Sequence, residues 1–142
     1  MPSGKAPPLG GVLETSLYVD DLPRARAFYE DVLGLQPMVV DARIAAYPAA
    51  PGSVLLLFQR GTTEKPAELP GGIIPPHDGS GHLHYAFAVA SDDLQAWEAH
   101  LAARGITIES RVDWPHGSRS LYFRDPDGNL VELATPGLWK NY

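Results

Sequence analysis

Apolar and polar residues follow two successive periods in the first half of the chain. Residues 12–19 (VLETSLYV) alternate with the period of two that is typical of a half-buried strand. Residues 20–35 (DDLPRARAFYEDVLGL) place apolar side chains every three or four positions, which predicts an amphipathic helix. Asp21 is suited to cap this helix and Gly34 to end it. Residues 36–60 predict three short strands, which turns separate at residues 41–42 and 48–52.

The second half of the chain repeats this order. Residues 82–89 (HLHYAFAV) predict a strand, and SDDLQAWEAHLAARG, from Ser91 to Gly105, predicts a helix that Ser91 or Asp92 caps. Three more strands are predicted in ITIESRVDW, SRSLYFRD and NLVELAT, and the tight turn DPDGN joins the last two. Each half therefore reads strand, helix, strand, strand, strand.

This repetition predicts an α+β protein built from two copies of one module. The first module covers residues 12–60 and the second covers residues 82–142. Residues 61–81 are rich in Gly and Pro and show neither period, which indicates a linker or loop. Residues 1–11 (MPSGKAPPLGG) are expected to form a flexible tail.

Composition narrows the classes of function. The 142 residues carry a net charge of −6 and no basic block, so we expect neither nucleic acid nor an anionic membrane as a partner. Cysteine is absent, which excludes disulfides, thiolate metal sites and a cysteine nucleophile. The sequence has no apolar run of the ~20 residues that a membrane span needs, and no signal-peptide core, so we expect a cytoplasmic location.

Several polar side chains are predicted on the strand faces that point away from the helices. Residues two apart in a strand share a face, which groups Glu14 with Ser16 in the first strand and His82 with His84 in the fifth. Glu132 lies between Val131 and Leu133 in the last strand, so its carboxylate can also face away from the core. One imidazole and two carboxylates suit Mn, Fe, Ni, Zn or Co. The spacing alone is equally compatible with solvent-facing residues of half-exposed strands.

Three segments carry a family resemblance: LYVDDLPRARAFYEDVLGL, HYAFAV and YFRDPDGNLVEL. In order and duplication they resemble the vicinal oxygen chelate superfamily, which includes glyoxalase I, extradiol dioxygenases, fosfomycin-resistance thiol transferases and bleomycin-binding proteins. The resemblance implies two βαβββ modules whose curved mixed sheets surround a metal and substrate cavity. It also implies one divalent ion per site, with Glu14, His84 and Glu132 as its ligands.

This chain differs from the family pattern at two ligand positions. The first ligand is usually His or Gln, whereas this chain has Glu14. The fourth ligand position of glyoxalase I falls near Leu56 or Leu57, where no carboxylate is present. A site with three ligands and open coordination positions is therefore expected, more like that of the dioxygenases and fosfomycin enzymes.

The resemblance and the strand pattern together suggest substrate contacts. Ser120 and Tyr122 match a pair that contacts the phosphonate in fosfomycin-resistance transferases. Ser16 and Arg119 are further substrate-binding candidates. His82 is a candidate for a residue that contacts the metal ligands and orients them without binding the metal itself.

Two functions follow as expectations. The first is a metal-dependent lyase, dioxygenase or transferase in which the ion chelates and polarises neighbouring oxygens of a small substrate; isomerisation, ring cleavage and thiol addition remain open. The alternative is a metal-free protein of the bleomycin-resistance type that sequesters a small molecule. The resemblance also implies a homodimer, with all three ligands from one chain or with Glu14 from one chain and the other two from its partner.

Overall fold

The computed structural model describes residues 4–142, so the first three residues of the predicted tail lie outside the described residues. Residues 4–13 contain no helix or strand. The first module consists of one helix and four strands. Its elements are β1 (Glu14–Val19), α1 (Leu22–Ala27), which continues into a π-helical turn (Phe28–Val32), β2 (Val39–Val40), β3 (Ile44–Ala50) and β4 (Ser53–Gln59). Its sheet has the order β1-β4-β3-β2, and β1 runs parallel to β4.

The second module has the same topology. Its elements are β7 (His84–Ala88), α2 (Leu94–Ala103), β8 (Ser110–Asp113), β9 (Arg119–Arg124) and β10 (Leu130–Ala134). The sheet order is β7-β10-β9-β8, with β7 parallel to β10 and the other pairs antiparallel. The α+β fold with two equivalent modules is therefore confirmed. Across the described residues no helix has both the length and the apolar composition needed to cross a bilayer.

The connection between the modules is more ordered than its composition indicated. It contains a hairpin of two three-residue strands, β5 (Ala67–Leu69) and β6 (Gly72–Ile74). Beyond the hairpin, His77 is fixed to Thr63, whose hydroxyl and carbonyl bond the His77 backbone carbonyl and N–H. Thr63 is buried, and Nδ1 of His77 lies 2.6 Å from the Tyr18 hydroxyl, so these contacts hold the end of the connection against the first module.

Helix capping matches the sequence pattern in one module and differs in the other. The Asp21 carboxylate accepts a hydrogen bond from the Arg24 N–H at 3.1 Å, and Gly34 has a φ of 70°, as predicted. In the second module the predicted cap by Ser91 or Asp92 is wrong. Ser91–Asp93 instead forms a 3-10 turn without a side-chain cap, and α2 begins only at Leu94.

Each sheet has one buried face and one open face. The buried faces carry the apolar residues next to the predicted polar ones, and they join the helices in one core across both modules. Core members from the two sheets include Leu17, Leu57, Phe123, Val131 and Leu133. The open faces carry Glu14, Ser16 and Tyr18 on one sheet, and His84, Tyr122 and Glu132 on the other.

The turn between β9 and β10, residues 125–129, locks the two modules together. The buried Asp125 carboxylate accepts hydrogen bonds from the Tyr29 hydroxyl at 2.7 Å and from the Asn129 N–H at 2.9 Å. The Tyr85 hydroxyl in turn donates to Tyr29 at 2.7 Å. Burial raises the pKa of both tyrosines far above its usual range, so both hydroxyls stay protonated and serve as donors. Asp127 adds a contact by accepting from the Asp20 N–H at 2.9 Å.

Candidate metal centre and substrate cavity

Two predicted metal ligands meet on the open face of the second module. The Nε2 atom of His84 lies 3.2 Å from Oε1 of Glu132. The other ring nitrogen, Nδ1, lies 2.9 Å from the Leu130 carbonyl oxygen, so Nδ1 carries the proton that bonds this oxygen. Nε2 therefore faces the carboxylate with its lone pair in the neutral imidazole. Two such acceptors need a cation between them, either a proton on Nε2 or a metal ion.

The spacing of the two atoms fits a metal ion. Ligand atoms bound at ~2.1 Å are separated by roughly 3.0 Å when they are neighbours in an octahedral site and by roughly 3.4 Å in a tetrahedral one. The observed separation of 3.2 Å lies between these values. A carbonyl bonded to the second ring nitrogen is the arrangement that usually orients a metal-binding histidine.

A chain of hydrogen bonds holds the second oxygen of Glu132. Ser120 donates to Oε2 at 2.5 Å, and the indole N–H of Trp114 donates to the Ser120 hydroxyl at 2.8 Å. Ser120 is fully buried and Glu132 is 5% exposed. The Ser120 hydroxyl uses its proton on Glu132 and accepts from Trp114, so it orients the carboxylate. That leaves the Ser120 proton unavailable to the substrate contact predicted from the sequence.

Tyr122 and Arg119 occupy opposite sides of strand β9. Tyr122 lies directly across from Glu132 in the sheet, and its ring centre is 6.2 Å from that of His84. Burial raises the pKa of Tyr122, so its hydroxyl stays protonated and can donate a hydrogen bond at neutral pH. Arg119 does not join this cluster, because its guanidinium pairs with Asp113 at 2.6 Å on the other side of the sheet.

His82 lies outside the cluster of metal-ligand candidates. It precedes β7 and is exposed. Its ring stands beside Gly128 in the β9–β10 turn, so close that a Cβ atom at position 128 would lie 2.8 Å from Nε2. Gly128 has a φ of 83°, so the left-handed turn and the close approach of His82 both favour glycine here.

Glu14 and Ser16 line a cavity that neither His84 nor Glu132 lines. This cavity has a volume of about 510 Å³ on the open face of the first module, and Tyr18, Phe58, Arg43 and His77 also line it. Within residues 4–142, no three His, Asp or Glu side chains are close enough together to hold a metal ion. One chain therefore brings His84 and Glu132 together but does not add Glu14.

The sequence matches one family along most of its length. Residues 11–133 match the model of the Glyoxalase/Bleomycin resistance protein/Dioxygenase superfamily. The chain belongs to this superfamily. The assignment agrees with the paired modules and with a polar cluster on each open face.

Individual proteins of this superfamily are also similar to the chain in sequence and in structure. Metallothiol transferase FosB of Bacillus licheniformis is 32% identical over 126 residues, which cover 88% of this chain and 75% of that protein. Glutathione transferase FosA of Serratia marcescens is 30% identical over 128 residues, covering 87% and 79%. The crystal structure of lactoylglutathione lyase from Agrobacterium tumefaciens superposes with a TM-score of 0.84 at 34% identity, covering 94% of this chain and 99% of that one.

Three residues that line or support these sites were not assigned these roles from the sequence. Trp114 supports Glu132 through Ser120, and Arg43 and His77 line the cavity of the first module. Arg43 directly precedes β3, so the alternating pattern of that strand could have placed it next to the sheet of the first module. His77 reaches Tyr18 across 59 positions, from a segment with no periodic pattern, so no local pattern could have indicated this contact.

Replacing Ser120 with alanine should weaken metal binding while the fold persists. The substitution removes the donor that holds Oε2 of Glu132 and leaves the Trp114 indole N–H without its partner. Loss of a group that orients a ligand usually costs 10- to 100-fold in metal affinity. Isothermal titration with Zn²⁺ would measure this loss against Ser110→Ala, a matched change at an exposed position of the neighbouring strand. Equal affinities in the two variants would show that Ser120 does not support the ligand.

Proposed function

We propose that the chain is a metal-dependent enzyme that acts on a small organic substrate with neighbouring oxygen atoms. Glu14, His84 and Glu132 would hold one divalent ion and leave coordination positions open. When bound, the ion would act as a Lewis acid that stabilises negative charge on substrate oxygens. Isomerisation, thiol addition and ring cleavage can all use this chemistry. The names of the relatives include a lyase, a metallothiol transferase and a glutathione transferase.

The observation that carries this proposal is the contact between His84 and Glu132. Nε2 and Oε1 face each other at 3.2 Å, while the remaining atoms of both groups are engaged with Leu130 and Ser120. A buried carboxylate beside a neutral imidazole is costly unless a cation neutralises it. The alternative, a protein that only sequesters a ligand, predicts no binding of a divalent ion at these two atoms.

A second copy of the chain would supply Glu14 to each site. Support comes from the separation of Glu14 from His84 and Glu132 within one chain. Further support comes from large apolar side chains left exposed on the first module, among them Val12, Leu13, Met38, Val39 and Val40. Val39 and Val40 form the edge strand β2 of the sheet, and an exposed apolar edge strand is a typical place for contact with a second chain. We therefore propose a homodimer with two composite sites.

The chain's own residues would divide the remaining work. Tyr122 lies across from Glu132 and keeps its proton, so its hydroxyl can donate to an oxyanion of the substrate. Ser120 and Trp114 would keep the Glu132 carboxylate fixed during turnover. His84 would stay in one tautomer through its bond to the Leu130 carbonyl.

Mixing two defective variants tests the shared site. Glu14→Gln and His84→Ala should each bind metal poorly alone, because each lacks one ligand of every site. When equal amounts are unfolded and refolded together, mixed dimers would contain one site with all three ligands and one site with one. Titration with Zn²⁺ should then recover a high-affinity fraction of about one quarter of the sites, since about half of the dimers are mixed.

The control for this mixing experiment is each variant refolded alone, which should recover no high-affinity fraction. Failure of the mixture to recover binding, while refolded wild type binds normally, would contradict sites shared between chains. Full binding by either single variant would remove that residue from the ligand set.

A further inference from the structure

The cavity of the first module has two chemically different ends. Glu14 and Ser16 lie at the beginning of β1, whereas Tyr18 lies further along on the same face. Four residues of strand place Glu14 and Tyr18 roughly 13 Å apart along β1. The proposed metal ligand is therefore at one end, and Tyr18, Phe58, Arg43 and His77 form the other end. We call these four residues the distal subsite.

Arg43 brings an available positive charge to the distal subsite. Its guanidinium carbon lies 5.6 Å from the centre of the Phe58 ring, within range of a cation–π contact. Only its Nε has a protein partner within residues 4–142, a long 3.4 Å hydrogen bond to the Thr62 carbonyl. In the same part of the chain, no carboxylate forms an ion pair with Arg43, whereas Arg60, Arg111 and Arg124 all have one.

His77 and Tyr18 complete the distal subsite with a fixed pair of rings. Nδ1 of His77 lies 2.6 Å from the Tyr18 hydroxyl, and its ring packs edge-on against Phe58 at 4.9 Å. Burial is the main cause that raises the pKa of Tyr18, so the hydroxyl stays protonated and donates to Nδ1. The neutral ring then carries its own proton on Nε2, which has no partner among the described residues. Two donors thus share one aromatic-walled pocket.

The charges at the two ends predict what this pocket recognises. A divalent ion would be neutralised by Glu14 and Glu132. At the distal end Asp78 adds a negative charge near Tyr18, but it forms no ion pair with Arg43, so the Arg43 guanidinium keeps its charge available to an anionic group. A guanidinium, an N–H donor and two aromatic walls match a carboxylate on a flat or unsaturated carbon frame. We propose that Arg43 and His77 bind the carboxylate of an elongated substrate whose neighbouring oxygens lie at the metal end. This inference rests on the proposed function.

A pair of probes that differ only in charge tests the distal subsite. The acid is 3-(3,4-dihydroxyphenyl)propanoate, which offers two neighbouring oxygens and a distant carboxylate, and its methyl ester is the neutral control. Calorimetric titration of Mn²⁺-loaded protein should show the acid binding about 10- to 100-fold more tightly than the ester, as expected for hydrogen bonds to a charged group. Arg43→Gln should abolish most of this preference. Arg111→Gln, a change of an arginine on the other face of the second sheet, should keep it.

The outcomes separate the subsite from the metal centre. Equal binding of acid and ester by wild type, a preference that survives Arg43→Gln, or no binding of either probe would overturn the distal subsite. If both probes bind only with Mn²⁺ but Arg43 has no effect, the subsite is wrong and the metal centre stands. If each probe binds equally tightly with and without Mn²⁺ while the acid preference still depends on Arg43, the subsite stands and the metal centre is wrong. His77→Phe should reduce the preference less than Arg43→Gln, because it removes a neutral donor and leaves the charge of Arg43 in place.

Discussion

Glutamine in place of Glu132 should lower the affinity for divalent metal by more than about a hundredfold. The substitution keeps the size of the side chain but removes the charge that faces Nε2 of His84 at 3.2 Å. Losing an orienting partner alone usually costs 10- to 100-fold, and Glu132 would be a direct ligand. Titration with Zn²⁺ or Mn²⁺, followed by metal analysis after dialysis, would measure the loss.

Glu109→Gln is the matched control for this prediction. Glu109 is an exposed carboxylate near the same sheet and pairs with Arg124 at 2.8 Å. We expect its replacement to leave metal affinity unchanged. Thermal unfolding should show that Glu132→Gln is folded, because a neutral side chain is easier to bury at this position. If the folded variant binds metal as tightly as wild type, Glu132 is not a ligand.

Replacing Asp125 with alanine should lower the free energy of unfolding more than any other substitution proposed for this protein. The change removes an acceptor that serves the Tyr29 hydroxyl and the backbone N–H groups of Asp127 and Asn129. Each buried donor left unpaired costs about 1–3 kcal/mol, so we expect a loss of about 3–5 kcal/mol in the free energy of unfolding. For a chain of this size such a loss corresponds to a melting temperature lower by roughly 10–15 °C.

Asp113→Asn provides the comparison for the stability measurement. Asp113 pairs with Arg119 at 2.6 Å where both side chains are mostly exposed, and exposed pairs contribute little. We expect its melting temperature to stay within about 2 °C of wild type. Chemical denaturation of both variants would give the free energies directly. A loss of less than about 1 kcal/mol in Asp125→Ala would show that the 125–129 turn is only a turn and does not join the modules.

Much of the fold could be predicted because it follows from local periodicity. Alternating residues in β1, β7 and β10 put Glu14, His84 and Glu132 on the faces away from the core, and the structure has these faces. The hairpin β5–β6 could not be predicted, because strands of three residues are too short to show a period. The Ser91 cap failed because the 3-10 turn moved the start of α2 to Leu94.

The site was less predictable, because its contacts join distant parts of the chain. Alternation within β9 alone would have separated Arg119 from its neighbour Ser120. It could not have shown that Trp114 and Glu132 occupy the Ser120 hydroxyl. The pairing of His77 with Tyr18 depends on how the connecting segment folds back over the first module. The separation of Glu14 from His84 likewise depends on how the modules pack.

Native mass spectrometry of the wild-type protein, reconstituted with Zn²⁺ and dialysed, tests the central claim most directly. It reports the number of chains and the number of bound ions in the same particle. We predict a dimer that carries two ions, and the loss of both ions in Glu132→Gln without loss of folding. A folded wild-type protein that retains no ion at micromolar Zn²⁺ would contradict the metal-dependent function, and a monomer that retains one ion would contradict the site shared between two chains.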